Sequence, residues 1–327
     1  MAEDKMKAIL VEGGQMQPGS YPMPIRCPND ILVEVKAAGV NRADTLQRQG
    51  KYPPPQGASP LLGLEVAGIV AEAGSKVSQW QKGDKVFGLL PGGGYAQYAC
   101  MHQNMAMPIP EELNFTEAAA LPEVFLTAYQ ALVWLAKVQK GERVLIHAGA
   151  SGVGTAAIQI AREMEAEVLV TASAEKHPIC LELGARHAID YKKGSFKDEV
   201  YRLTDGEGVD VIIDFVAAPY FQDNLSALRK DGRLVMLALL GGVKLPEANL
   251  LPILQKRLSI MGSTLRSRSP EYQARLTREL ADFMLPRLRD GRIRPVIDKV
   301  YPWEKVNEAH AYMEENKSKG KIILSVE

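Results

Sequence analysis

Glycines at 149, 152 and 154 stand between an apolar run, RVLIH, and a segment with apolar or small residues at Val153, Ala156, Ala157, Ile160 and Met164. The run predicts a buried strand and the segment an amphipathic helix. A glycine turn that opens a helix directly after a strand offers an anion two things, backbone N–H groups and the positive helix end. The missing side chains also let a pyrophosphate come close. Ser151, Gly152, Val153 and Gly154 are therefore the expected phosphate contacts. The spacing is G-x-x-G-x-G, and that string alone is a weak signal. Its weight comes from the strand before it and the alternating strands and helices around it.

About twenty residues further on, a site for NAD usually carries an acid at the end of the second strand. Here the strand ends TASAEK, with Ser173 at the expected place and Lys176 soon after. A hydroxyl and an ammonium attract a 2′-phosphate that a carboxylate would repel. Tyr191 and Lys192, after the third strand, could add a stacking ring and another positive charge. Glu175 lies close by and could face either way. The balance of these residues points to NADPH.

Positioning such a site requires an alternating α/β region. RVLIHAG, EVLVTA, HAIDY, GVDVIIDFV, GRLVMLAL and LSIMGST read as strands with helical stretches between several of them, which predicts a doubly wound parallel sheet over residues 125–265. The first third is instead β-rich, with MKAILVE, DILVEVKAAGV, LLGLEVAGIV and DKVFGLL separated by turn-rich stretches such as GGQMQPGSYPMP and GKYPPPQGASP. TEAAALPEVFLTAYQALVWLAKVQKG reads as one or two helices ending at Gly141. The tail holds a long amphipathic helix, a short strand, a second helix (WEKVNEAHAYMEEN) and a last strand, KIILSVE.

Composition narrows the classes. The 327 residues balance 39 Lys+Arg against 39 Asp+Glu, and 46% are hydrophobic. This excludes wholesale disorder and argues against a general attraction to nucleic acid or membranes, although RLRDGRIR and TLRSRS are locally basic. Cys27, Cys100 and Cys180 cannot make a disulfide framework, and none forms a CxxC pair. The start reads as no signal peptide, and no stretch is expected to be apolar enough to span a bilayer. The expected location is cytoplasmic.

ASGVGTAAIQIA, GVNRADTLQRQGKYPPP and LLGLEVAGIV resemble the medium-chain dehydrogenase/reductase superfamily, and within it the zinc-independent, zeta-crystallin-type quinone oxidoreductases. LLPGGG and AHAYMEENKSKGKI are similar to the subgroup typified by the tumour-suppressor-inducible quinone oxidoreductase. The resemblance covers essentially the whole chain. It implies a discontinuous GroES-like catalytic domain, residues 1–124 and 266–327, around a Rossmann NADPH-binding domain, 125–265. It also implies a homodimer or tetramer joined by edge pairing of LSIMGST, and hydride transfer from the nicotinamide to a quinone in the cleft between the domains. Zinc-dependent relatives keep a Cys and a His where this chain has Asn41 and Leu64, so no metal is expected.

By the same resemblance Tyr52 and Asn41 are the expected catalytic residues, Tyr52 as a hydrogen-bond donor and Asn41 as an orienting amide. Thr127, at the start of the first coenzyme-domain helix, is expected beside the nicotinamide amide. Val216, Leu240, Thr264 and Leu265 follow the later strands, at the carboxyl ends where such sheets bind ligands. Two rival functions remain at this point: reduction of activated C=C bonds in enones or enals, and a structural or RNA-binding role for an NADPH-binding protein.

Overall fold

The structure is a computed structural model that describes residues 4–326. They divide into two compact units, one up to Leu126 together with Arg266 onward, the other Thr127–Leu265.

The first unit begins with β1 (Lys5–Glu12) and β2 (Gln15–Pro22), an antiparallel pair in which Glu12 faces Gln15. The GGQMQPGSYPMP stretch, expected to be turn, is therefore mostly strand. The turn itself is only Gly13-Gly14, both with positive φ, as a two-residue hairpin loop requires. Pro18 and Gly19 are tolerated because β2 is an edge strand. β3 (Asp30–Val40), α1 (Arg42–Arg48), β4 (Glu65–Ala73), β5 (Lys85–Leu89), β6 (Tyr98–His102) and β7 (Ala106–Pro108) follow.

Next come α2 (Phe115–Ala118) and α3 (Pro122–Tyr129), which runs on as a π-turn to Leu135. The helical region thus stops short of Gly141. Lys137 at φ 51 turns the chain away. Phe115–Leu135 is, against expectation, long and apolar enough to cross a membrane by composition, with mean hydropathy 1.3. Its most apolar 18-residue window is instead 72% buried inside the protein, as core helices are. The division between units falls inside α3, after Leu126 rather than after 124.

The second unit alternates. Its strands are β8 (Arg143–Ile146), β9 (Glu167–Thr171), β10 (His187–Ile189), β11 (Val209–Asp214), β12 (Leu228–Met236) and β13 (Ser259–Gly262). They form one parallel sheet in the order β10-β9-β8-β11-β12-β13. That is the Rossmann order, in which the connections leave β8 toward opposite edges and a crevice opens at the carboxyl ends beside it. α4 (Gly152–Glu163) follows β8. Val144, Leu145, Ile146, Val211, Ile212 and Ile213 are fully buried, which is why these strands read as continuous apolar runs.

After Leu265 the chain rejoins the first unit through a helix, Pro270–Arg289, then β14 (Ile297–Pro302), a helix at Val306–Glu314 and β15 (Lys321–Ser325). The sheet order β14-β15-β3-β4-β5-β7, with β6 also on β3, places the tail directly against the N-terminal third. Ile31, Val33, Val66, Val86, Met101, Ile322 and Leu324 fill the core between them.

Candidate active site

In the second unit the site is made of backbone. Ala148 turns with φ 49, and the Gly149 amide reaches back to the Thr171 carbonyl at 3.0 Å. A Cβ on Gly149 would lie 2.6 Å from the Val170 side chain, and one on Gly154 would lie 2.5 Å from the Ala148 carbonyl oxygen. Both positions therefore need glycine for the turn to close against β9. Ser151 caps α4, its Oγ accepting from the Gly154 amide at 3.1 Å. Among the described residues, the amides of Gly152 and Val153 have no hydrogen-bond partner. Two free N–H groups at the positive end of a 12-residue helix fit the pyrophosphate of a dinucleotide.

The carboxyl ends of the neighbouring strands lie around this turn. Leu240 and Gly241 donate to the carbonyls of Phe215 and Val216 at 3.0 and 2.8 Å, so the expected contacts Val216 and Leu240 share one loop pair. Leu240 and Thr264 are exposed, whereas Leu265 is buried. Thr127 is the sixth residue of α3 and not its start, because the helix already opens at Pro122.

Beneath the turn runs a polar chain that the sequence reading passed over. His147 sits between Thr171 Oγ1 at 3.0 Å and Asn224 Oδ1 at 2.7 Å, and Asn224 Nδ2 donates to Asp214 Oδ2 at 3.1 Å. Since the Asn224 oxygen accepts, His147 carries its proton on Nε2 and takes one from Thr171 on Nδ1. Burial holds the ring neutral by pushing its pKa down. Asp214 also accepts from the Val216 amide at 2.7 Å. The chain thereby pins the β11 loop, in which Ala217 takes φ 70.

At the end of β9 the orientation of Glu175 is visible. Ser173 is buried and its hydroxyl donates to Glu175 Oε1 at 2.6 Å. That bond first, then its own backbone amide, and after them Lys192 and Lys176, hold the Glu175 carboxyl below its usual range. Glu175 thus turns to Ser173 and lies within electrostatic reach of Lys192 and Lys176, the charges expected to meet a 2′-phosphate. Tyr191 is 44% exposed after β10, open to stacking.

The first unit builds its polar centre from side chains far apart in sequence. Lys321 Nζ donates to Glu65 Oε1 at 2.6 Å, Asn41 Oδ1 at 2.7 Å and the Val40 carbonyl at 3.0 Å. Asn41 Nδ2 donates to the same Glu65 oxygen at 2.8 Å, and the other one, Oε2, accepts from the Glu123 amide at 2.8 Å. Every group in this buried cluster is satisfied. Gly39 makes room for it, since a Cβ there would lie 2.1 Å from Glu65 Oε1. Both ends of the Asn41 amide are thus committed, which leaves it structural work beside its expected role of orienting ligands. Beside the cluster Asp44 accepts from the amides of Asn41 and Gly63. The Tyr95 hydroxyl bridges Asp44 Oδ2 and His310 Nε2, 3.2 Å from each. Burial raises the Asp44 pKa to about 6 against the pull of the two amides, and lowers that of His310 to about 3.

Tyr52 is half-buried in its proline-rich loop. The Arg266 guanidinium lies 5.5 Å from its ring centre. Arg266 is itself fixed by the Pro91 carbonyl, at 2.9 and 2.6 Å, and by Gln47 Oε1 at 2.8 Å. The half-buried Glu123 carboxyl is close enough to add to the effect of burial in raising the Tyr52 pKa, with Arg266 opposing. Glu65, Lys321, Glu123 and Arg266 escaped the sequence reading. A signal was present for two of them. Glu65 and Lys321 are lone charges in apolar strand runs, and charges are almost never fully buried without a partner.

Comparison with known proteins matches these two arrangements. Residues 27–111 match the alcohol dehydrogenase GroES-like domain, and residues 152–282 match the zinc-binding dehydrogenase family. Human quinone oxidoreductase is 34% identical over 310 residues, spanning 92% of this chain and 91% of its own.

The chain belongs to the medium-chain dehydrogenase/reductase family.

Within that family it is a quinone oxidoreductase-like protein. The bovine quinone oxidoreductase-like protein 2 is 36% identical over 93% of this chain and 87% of its own. Among solved structures, the CurK enoyl reductase superposes with a TM-score of 0.85 at 32% identity, over 98% and 99% of the two chains. A mycobacterial protein solved with NADPH gives 0.86 at 26%, over 98% and 100%. This member of the family is accordingly an oxidoreductase that works with a nicotinamide coenzyme. Its Rossmann and GroES-like parts are those the sequence implied.

Proposed function

We propose that this protein is an NADPH-dependent, metal-free quinone oxidoreductase. The carrying observation is the Lys321 ammonium bound to Asn41 Oδ1. Asn41 and Leu64 stand where zinc-dependent relatives hold ligands. Leu64 has no donor atom, and the amide oxygen of Asn41 already binds a fixed positive charge that would repel a divalent ion. Among the described residues no group of three His, Cys, Asp or Glu is arranged to hold a metal. The residues present do not fit zinc.

An acceptor reduced without a Lewis acid must be electrophilic already. A quinone is, because added negative charge spreads over its ring and second oxygen. NADPH, when bound, supplies the hydride. The protein's share is to hold the pyrophosphate on Gly152 and Val153, keep the β11 loop in place through Asp214, and present Tyr52 as a donor to an acceptor oxygen. Ser173, Lys176, Lys192 and Tyr191 support NADPH over NADH, with Glu175 weakening the preference.

The test is oxidation of NADPH by the purified protein with a panel of quinones. Proven coenzyme binding with no quinone-dependent oxidation would sink the reading. Reduction of enones is the second reading, favoured by the likeness to an enoyl reductase, and kcat/KM values for an enone and a quinone measured side by side separate the two.

We further propose a homodimer in the cytoplasm. β13 is an edge strand with one side unpaired within the sheet. Leu239, Leu240, Val243 and Leu254 are exposed near it in sequence, and such a surface is protected by pairing. Cys27, Cys100 and Cys180 are all free thiols, in keeping with a reducing compartment. Light scattering on the purified protein reads the assembly directly.

A further inference from the structure

Reduction of a quinone also needs an acid. Adding hydride to a quinone leaves a negative oxygen, and a neutral hydroquinone requires a proton. Resting on the quinone reading above, we propose that Glu123 delivers this proton, while Tyr52 and Arg266 hold the oxygen that receives it.

The Glu123 amide is tied to Glu65 Oε2 at 2.8 Å, so the residue is anchored by its backbone at the start of α3. Its carboxyl, in contrast, has no hydrogen-bond partner among the described residues. Every other acid of the centre is spent: Glu65 on Lys321 and Asn41, Asp44 on two amides and Tyr95. Tyr52 and Arg266 lie within electrostatic reach of Glu123, and Arg266 is pinned by Pro91 and Gln47. A half-buried carboxyl within electrostatic reach of a phenol and a guanidinium that lie 5.5 Å apart can receive an oxygen anion and protonate it.

Electrostatics keep that carboxyl loaded. The ionisable groups around it are Glu65 on β4, Lys321 on β15, Asp44 on α1, Tyr52 in the loop after α1, and Arg266. Burial first, then Glu65, raises its pKa to about 8; Lys321 and Arg266 oppose, and Asp44 adds to the rise. At neutral pH Glu123 is mostly the acid. The step balances: two electrons and one hydrogen reach the quinone as hydride, oxidising the coenzyme. The O–H bond on the acceptor oxygen forms as the Glu123 O–H bond breaks. Water then reloads the carboxylate.

Glu123→Gln preserves shape and removes the proton. Its kcat with quinone should fall about a hundredfold, with NADPH affinity unchanged, and the wild-type loss of activity above about pH 8 should disappear from its profile. Glu123→Asp should restore part of the rate. Infrared spectra of the coenzyme-free protein supply a readout independent of turnover: a protonated-carboxyl band that titrates near pH 8 in wild type and is missing from Glu123→Gln. Wild-type rates and an unchanged alkaline limb in Glu123→Gln overturn the inference, as does a Glu123 already ionised at pH 7. A wild-type protein that reduces no quinone, yet shows the band, defeats the functional reading and leaves the protonated Glu123 standing.

Discussion

The two units solve the same problem, holding polar groups still inside an apolar core, with different materials. The coenzyme unit uses one short stretch of backbone. Its glycines, its cap and its free amides all lie within residues 148–154. The GroES-like unit uses side chains from residues 41, 44, 65, 95, 310 and 321, brought together by an antiparallel sheet. A backbone site is local and tolerates change almost everywhere else. A side-chain site is distributed, and each member depends on partners far away in the chain.

That contrast predicts where single substitutions hurt. The largest effect is expected for Lys321→Met, which strands the Glu65 carboxylate without its cation. Removing one partner of a buried pair costs about 3–5 kcal/mol, read as a lower midpoint in urea. Adding Glu65→Gln should recover much of the loss, and a single variant within 1 kcal/mol of wild type would show that the cluster is ornamental.

Gly154→Ala should damage the other unit locally. The new Cβ meets the Ala148 carbonyl oxygen at 2.5 Å, so the turn must shift. We expect about 1–3 kcal/mol of destabilisation and at least about tenfold weaker NADPH binding by calorimetry, with both free amides displaced. Undiminished binding would break the assignment of the turn.

His310 sharpens the comparison through pH. Its folded pKa is about 3 against an ordinary 6.5, so the folded state binds fewer protons than the unfolded chain. Its contribution to stability is complete above pH 6.5 and erodes as pH falls toward 3. His310→Gln should be about 1–2 kcal/mol less stable at pH 8, having lost a buried packing partner of Tyr95. Its thermal midpoint should then fall less steeply in acid, and parallel acid limbs would exclude the histidine as the cause. The smallest effect is expected at the coenzyme corner, where Glu175→Gln should tighten NADPH binding about two- to fivefold and leave NADH nearly unchanged.

The same contrast explains what was legible in the sequence. The glycine turn could be read because its meaning is carried by adjacent residues, and the parallel strands because burial on both faces makes them continuous apolar runs. Ser173 and Lys176 could be located, but not the choice made by Glu175, since that depends on a side-chain rotamer. β2 was hidden by Pro18 and Gly19, which mark turns unless the strand is an edge. Glu65, Glu123, Arg266 and Lys321 carried no motif, because nothing along the chain announces that residue 65 will meet residue 321.

The pairing of Glu65 with Lys321 also has a consequence for synthesis. The two are 256 positions apart. At about 5–20 residues per second, a ribosome delivers the lysine tens of seconds after the carboxylate. The middle unit is one continuous stretch and can finish its sheet in that interval. The first 126 residues cannot: β3 has no β15 beside it, and Glu65 must stay in water until its cation is made. Vectorial folding should therefore run from the inside of the sequence outward, with the nascent N-terminal third as the segment that chaperones have longest to find.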